Sequence, residues 1–410
     1  MMSKRRQTLG LQILATVAIL GLIAYLFFPK ADMQLADNWY GDLKSTFEAQ
    51  ARQGEAALAA YKNAVISSST TTTLSAHHPN RVKAAFVILA RNSDLNGIRS
   101  SIRQMEDRFN RKFNYPYVFL NEENFTEEFK EKTAALTNSE VHYGKIDADM
   151  WGYPDHVDTK KAADCRKKMQ DKGIIYGGSE SYRHMCRFQS GFFFRHPLLD
   201  AFEYYWRVEP DVSYFCDIDY DVFQMMKDKK LKYGWTLSLT EYMETIPTLW
   251  ETTKQFMADN KELVNYGEDS LLPWISDNNY TDYNGCHFWS NFEIGSLDFF
   301  RSERYLKYFN YLDSKGGFFY ERWGDAPVHS LAVAMMLKTS EVHFFNDIGY
   351  KHNPLMHCPD QPWANKKCSC DDKQNFDWTD WSCLTRYSKI QPDFNWDEAL
   401  HANMTAPYRI

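Results

Sequence analysis

Two acidic triplets, Glu209-Pro210-Asp211 and Asp217-Ile218-Asp219, stand eight residues apart in the run EYYWRVEPDVSYFCDIDYDV, residues 203–222. Carboxylates at a strand end can hold a hard divalent cation, which takes oxygen ligands and tolerates one imidazole. The first triplet follows Tyr204-Tyr205-Trp206-Arg207-Val208, a strand-like run. Pro210 cannot donate to a sheet ladder, so it stops the strand there. The second triplet has the more familiar D-x-D spacing. It runs into Asp219-Tyr220-Asp221-Val222-Phe223, which reads as the capped start of a helix. On the residues alone, Glu209 and Asp211 form either a metal-facing strand end or a solvated turn.

Three other tracts mix aromatic and reactive side chains. GGSESYRHMCRFQSGFFFRHP, residues 177–197, reads as a loop from its glycines and serines. Its Tyr182, Arg183, His184 and Arg187 suit phosphate or sugar, and the alternative is a surface loop with an aromatic anchor. In CHFWSNFEIG, residues 286–295, Glu293 interrupts an apolar strand-like run. A carboxylate there needs a partner or a half-buried place in a cleft. In a cleft it can attack an anomeric carbon or stabilise its positive charge. The third tract runs from RWGDAPVH, residues 322–329, to DIGYKH, residues 347–352. Asp325 can bind sugar hydroxyls or cap the helix that Pro327 opens, and His352 follows a strand in a loop.

The elements that must position these residues begin at Arg81. Residues 82–90 are a short apolar run, read as a buried strand, and Arg91-Asn92-Ser93-Asp94 offers helix-capping chemistry. Leu95, Ile98, Ile102, Met105, Phe109 and Phe113 then recur at helical spacing. Strand Tyr117–Leu120, helix EEFKEKTAAL and a third strand from Glu140 follow. That alternation predicts an α/β fold with a mostly parallel, doubly wound sheet, and ligands outside the carboxyl ends of its strands. Arg91 stands at such an end. No G-x-G-x-x-G follows the first strand and no Walker A sequence occurs, which disfavours a dinucleotide oxidoreductase and a P-loop NTPase.

The 410-residue chain carries a net charge of −7, so nucleic acid is not an expected partner. Lys4-Arg5-Arg6 precedes residues 8–28, which carry no charge. As a helix they would span about 31 Å, enough for a bilayer core. We read a cytoplasmic tail at 1–7, an uncleaved signal anchor at 8–28, a stem at 29–80 and a luminal domain at 81–410. The stem holds SSSTTTT, residues 67–73, suited to O-linked sugars or a plain spacer. Sequons at Asn124, Asn279 and Asn403 fit a luminal address. Eight cysteines, four of them within residues 358–383, should largely pair in an oxidising lumen, a zinc knuckle being the alternative.

Together these tracts resemble the fungal Golgi α-1,2-mannosyltransferases of glycosyltransferase family 15. The matching strings are AAFVILARNSDL, YGGSESYRHMCRFQSGFFFRHP, YYWRVEPDV, CDIDYDVF, CHFWSNFEIG, RWGDAPVHS and DIGYKHNP, in one order across residues 82–358. The resemblance implies a GT-A-like fold, GDP-mannose as donor, Mn²⁺, and retaining transfer to the 2-hydroxyl of a mannoside on O-linked or N-linked glycans. It implies Golgi membrane residence, single-pass type II. It maps metal ligation onto Glu209 and His352, the proposed nucleophile onto Glu293, and a tyrosine between donor phosphate and acceptor onto Tyr182. Arg91, Arg183, Arg207 and Asp211 are assigned to nucleotide or phosphate, and Trp289 and Asp325 to the acceptor. The alternatives are mannosylphosphate transfer from the same donor and a luminal mannan-binding protein without catalysis.

Overall fold

The computed structural model describes residues 81–390. The expected tail, anchor and stem, and the sequon at Asn403, lie outside the described residues. Among the described residues no helix is long and apolar enough to cross a membrane.

The chain opens with β1 (Ala84–Leu89), α1 (Leu95–Met105), β2 (Tyr117–Asn121), α2 (Glu127–Ala134) and β3 (Val141–Lys145). These are the expected strand–helix alternation, and the α1 stripe continues through a π-helical segment, Glu106–Asn110, to Phe113. Next come α3 (Glu180–Gly191), β4 (Tyr204–Arg207), β5 (Ser213–Tyr214), α4 (Val222–Asp228), β6 (Tyr233–Trp235) and β7 (Ser238–Thr240). The last third adds β8 (Ser276–Asp277), β9 (Asp282–Tyr283), β10 (Cys286–Phe288), β11 (Glu293–Ser296), α5 (Asp325–Met336), β12 (Val342–Phe344), β13 (Tyr350–His352) and β14 (Leu355–His357).

The central sheet has seven strands in the order β12-β6-β11-β4-β1-β2-β3. All neighbours pair in parallel except β11, which is antiparallel to both β4 and β6. Side chains alternate between faces, so each strand feeds two cores. Ala85, Val87, Val118, Leu120, Tyr205 and Tyr233 enter one, and Phe86, Ile88, Tyr117, Phe119, Trp206 and Ile294 the other. Burial on both faces explains why these strands read as continuous apolar runs. Smaller sheets flank the large one: β14-β13-β5, β7 with β10, and β8 with β9.

The structure corrects one reading, narrows a second to a single residue and bears out the expectation that the cysteines largely pair. Residues 180–191 are helix α3 and not loop: Ser179 caps it, accepting from the Tyr182 amide at 3.2 Å. Asp221 is the cap of α4, accepting from the Phe223 and Gln224 amides at 3.1 Å each, whereas Asp217 and Asp219 cap nothing. Six cysteines pair, as Cys216–Cys368, Cys286–Cys383 and Cys358–Cys370, and Cys165 and Cys186 remain thiols. The sequon residues Asn124 and Asn279 are exposed, Asn279 in the β8–β9 turn at a φ of 54°.

Candidate active site

The site grows from the carboxyl end of β4, at the middle of the sheet. Arg207 ends that strand with its guanidinium on the face covered by α5. Its Nε donates to Glu209 Oε1 at 2.6 Å, and its Nη1 to Asp325 Oδ2 at 2.6 Å and Ser290 Oγ at 3.3 Å. Ser290 Oγ also donates to Asp325 Oδ2, at 2.7 Å. Burial alone would lower Arg207, but Glu209 and Asp325 hold it well above its ordinary value. Burial alone would raise Asp325, and the Arg207 guanidinium holds it below the usual carboxylate range. Arg207 thus fixes two carboxylates through Nε and Nη1, which leaves Nη2 as its one nitrogen for the expected phosphate contact. Asp325 is likewise buried and engaged, and not set out for sugar hydroxyls as expected.

The β14-β13-β5 sheet brings the histidine to the same place. Tyr350 pairs with Tyr214 and Lys351 with Ser213, so the register sets His352 opposite Val212, beside the Glu209–Asp211 turn. His352 Nδ1 faces Asn353 O at 3.2 Å. A carbonyl only accepts, so Nδ1 carries the proton and Nε2 keeps its lone pair, the form that ligates metals. The Trp289 ring stands edge-on to His352 at 5.1 Å, which places it against the imidazole. Among the described residues no group of three or more His, Cys, Asp or Glu could hold a metal ion. Glu209 and His352 offer one oxygen donor set and one nitrogen. That fits a cation held partly by a ligand's own phosphate oxygens and unlike an all-protein cage.

Glu293 lies on β11, paired across the ladder with Arg207. It is 0% exposed. Its Oε1 accepts from the Tyr205 hydroxyl, and its Oε2 from the Tyr233 hydroxyl at 2.7 Å. His329 Nδ1 reaches the same Oε2 at 2.8 Å, and His329 Nε2 donates to Gln189 O at 3.1 Å. Asp325 and His329 stand one turn apart on α5, so one helix face supplies the partners of both Arg207 and Glu293. The expected half-buried carboxylate in a cleft is corrected: Glu293 is enclosed, with both oxygens engaged.

Tyr182 stands on the first turn of α3, half-buried. Its ring is stacked on Tyr176 at 4.5 Å and 8°, and the Arg322 guanidinium lies over it at 5.4 Å. Burial raises its hydroxyl well above the ordinary tyrosine value. Tyr176 adopts a φ of 55°, and its carbonyl faces Arg183, the residue after Tyr182. Arg183 is fully buried and donates to Glu321 O at 3.0 Å, Ser179 O at 2.9 Å and Tyr176 O at 3.5 Å. This arginine clips the two segments that flank the Tyr182 ring. It has no surface for phosphate, which corrects its assignment. Arg91 is exposed after β1, and its Nη2 donates to Ser181 Oγ at 3.0 Å, next to Tyr182. Asp211, exposed at a φ of 58°, lies against α1, where a Cβ at Gly97 would come within 2.6 Å of its Oδ2.

The D-x-D triplet is spent on the surface. Asp217 pairs with Arg108 at 2.6 Å, and Asp219 with Lys112 at 2.6 Å and Lys367 at 2.5 Å. Hydrogen bonds from those two lysines hold Asp219 below the usual carboxylate range.

A family model described as Glycolipid 2-alpha-mannosyltransferase matches residues 42–392. The chain belongs to that family. It is 54% identical over 310 residues to Glycolipid 2-alpha-mannosyltransferase 1 of Candida albicans, covering 75% of this chain and 72% of that one. It is 54% identical over 312 residues to an alpha-1,2 mannosyltransferase of Saccharomyces cerevisiae, covering 76% and 79%. Among solved structures it is similar to core-mannan synthase A of Aspergillus fumigatus in its Mn/GDP form, with a TM-score of 0.72 and 42% identity over 77% of this chain and 87% of that one. It is equally similar to a mannosyltransferase of S. cerevisiae in complex with GDP, at a TM-score of 0.72 and 42% identity over 76% and 82%. Within this family member, sequence reading gave no role to His329, Tyr205, Tyr233 or Arg322. Only His329 had a usable signal, four residues after Asp325 on a buried helix.

Proposed function

We propose that this protein is a retaining α-1,2-mannosyltransferase with a GT-A-like fold. It moves mannose from GDP-mannose to the 2-hydroxyl of a mannoside on glycoprotein glycans. The observation that carries the reading is the carboxyl end of β4, where Arg207 fixes Glu209 beside a histidine with a free Nε2. The names of the relatives, and the Mn/GDP and GDP complexes among the similar structures, support donor and metal.

Glu209 and His352 are the residues that would hold Mn²⁺, which when bound neutralises the diphosphate leaving group as a Lewis acid. Arg207 keeps Glu209 in place. Arg91, exposed at the end of β1, supplies a cation for the nucleotide phosphates. The Tyr182 hydroxyl stays protonated and donates a hydrogen bond between leaving phosphate and acceptor. Same-face attack is the course this geometry supports, because Glu293 would first have to break its bonds to Tyr205, Tyr233 and His329 to act as nucleophile. Glu293 then serves as a buried negative charge beneath the developing oxocarbenium. Residence in the Golgi membrane as a type II protein, anchored by residues 8–28, belongs to the same proposal.

The test is incubation of the full-length chain with GDP-mannose, Mn²⁺ and methyl α-mannoside. GDP release with a 1,2-linked dimannoside is expected. GMP release would mean mannosylphosphate transfer, and no turnover would mean a binding protein.

A further inference from the structure

Tyr266 is a large ring left 50% exposed, yet its backbone is not loose. The Asn265 amide before it donates to Met335 O, in the last turn of α5, at 2.6 Å, and Asn265 Oδ1 accepts from the Gly267 amide at 2.9 Å. The ring thus stands out from a fixed turn. Its ring neighbour is half-buried Tyr280, at 5.9 Å and 49°. An aromatic face held out of the core suits an amphipathic partner such as a sugar ring.

Tyr280 is the middle residue of the sequon Asn279-Tyr280-Thr281, in the β8–β9 hairpin. The base of that hairpin is built into the fold. Trp250 Nε1 donates to Thr281 O at 2.9 Å, and the Trp250 ring stacks on Tyr283 at 5.6 Å and 24°. Asn278, Asn279 and Tyr280 turn the chain at φ values of 52°, 54° and 66°, a region that asparagine tolerates. Asn278 Nδ2 is used inside the turn, donating to Asp282 Oδ2 at 2.6 Å. Asn279 and Thr281 are both exposed, and neither the Asn279 amide nor the Thr281 hydroxyl has a partner among the described residues.

The sequon at Asn124 is exposed too, but its groups are committed. The Thr126 hydroxyl caps α2, accepting from the Phe129 amide at 3.2 Å. Asn92 closes over the triplet, donating from Nδ2 to Asn124 O at 3.1 Å and accepting from the Thr126 amide at 3.0 Å. The nearby rings of Phe125 and Phe129 lie in the core, so no aromatic face is left for a sugar. Asn92 also follows Arg91, so a glycan at Asn124 would crowd the end of the sheet that the donor must reach.

We propose that Asn279 carries an N-linked glycan, and that Tyr266 and Tyr280 form the platform on which its first N-acetylglucosamine lies. Asn279 Nδ2 loses a proton and bonds to C1 of that sugar, and a lipid diphosphate leaves. The donor is a lipid-diphosphate-linked oligosaccharide of the secretory lumen, and transfer precedes folding. None of the hairpin residues bonds to Arg207, Glu209, Glu293 or His352, so the glycan leaves the candidate active site open. This rests on the reading of residues 81–410 as luminal.

The full-length chain is expressed in yeast and its microsomes are treated with protease. The protected protein is then deglycosylated by an N-glycosidase in heavy-oxygen water, which marks each freed asparagine as labelled aspartate for peptide mass spectrometry. Label at Asn279 and none at Asn124 is expected. Thr281→Ala, which removes the sequon and leaves Asn279 in its turn, should abolish the label. Tyr266→Ala should lower the Tm of the glycosylated chain by about 2 °C or more and change that of the Thr281→Ala chain by less than half as much. An unlabelled Asn279 in the protected chain, or an equal label at Asn124, overturns the assignment. An equal fall in Tm in both backgrounds overturns the platform. A chain that the microsomes do not protect overturns the site and the luminal reading together.

Discussion

At the scale of single residues, the site is organised by who holds whom. Arg207 has one guanidinium and serves Glu209, Asp325 and Ser290 with it. A lysine keeps the charge but cannot reach both carboxylates, because it lacks the planar fork. Arg207→Lys should therefore raise the Mn²⁺ needed for half-maximal activity about 10–100-fold, the usual effect of losing an outer partner of a metal ligand. Glu209→Ala should remove Mn²⁺-dependent turnover. Asp219→Ala should leave it intact and cost no more than about 1 kcal/mol in urea denaturation, since its lysine pairs are solvent-exposed. The reverse pattern would assign the metal to the wrong triplet. Glu293 needs a gentler probe than alanine, which would strand two phenols and an imidazole in the core and cost about 3–5 kcal/mol. Glu293→Gln keeps the shape. Under same-face attack it should lose much less than the ~10⁴-fold or more that removal of a nucleophile costs, and intact-protein mass spectrometry should show no mannosyl adduct on the wild type.

At the scale of elements, legibility followed periodicity. β1, α1 and β2 were readable because their apolar residues keep the period of strand or helix without interruption, and α2 and β3 followed from the alternation they continue. Helix α3 was not, because two arginines face inward at core positions. Arg183 is spent on carbonyls, and Arg187 grips Asp313 through Nε at 2.7 Å and Nη2 at 2.8 Å. A stripe broken by Arg looks like a polar loop, and its arginines look like phosphate ligands. The role of α5 was hidden for a related reason: its apolar side chains pack in the core, and Asp325 and His329 add hydrogen bonds to Arg207 and Glu293 on the sheet. Glu209 was a candidate from its place at a strand end, but joining it to His352 as a proposed metal site came only through resemblance to a family, since it depends on β13 pairing with β5 across more than a hundred residues of chain. The α4 cap tests the element directly. Asp221 accepts two amides and the Tyr115 hydroxyl, so Asp221→Ala should lower unfolding free energy by about 1–2 kcal/mol. Denaturation of Asp219→Ala and Asp221→Ala side by side would separate cap from surface pair.

At the scale of the whole molecule, the segment after β14 is stitched back onto the sheets that carry the site. Cys216–Cys368 ties it next to β5, Cys286–Cys383 ties it to β10, and Cys358–Cys370 closes it on itself. A buried imidazole adds a pH-sensitive stitch. His357 ends β14, with Nδ1 on Asp377 Oδ2 at 2.7 Å and Nε2 on Asn346 O at 3.1 Å. Both acceptors call for an N–H, so the ring is held as an imidazolium. Burial opposes that charge, but Asp377 outweighs it and raises His357 above its ordinary value. A raised pKa in the folded chain means that folding favours proton uptake. The stabilisation is complete below the unfolded value of about 6.5 and is lost as pH rises through the higher folded value. His184, His196, His287 and His343 are shifted the other way by burial, and their contribution is lost as pH falls. The net curve therefore mixes signs, and a difference isolates the stitch. Thermal unfolding of wild type and His357→Gln should differ most at about pH 5.5–6 and converge as the pH rises through the folded His357 pKa. Since β14 pairs with the strand that carries His352, the variant should also need more Mn²⁺ for half-maximal activity at low pH, with the gap closing by the same pH. A difference in Tm that does not change with pH would mean that the ring is held neutral and that Asp377 only accepts a hydrogen bond.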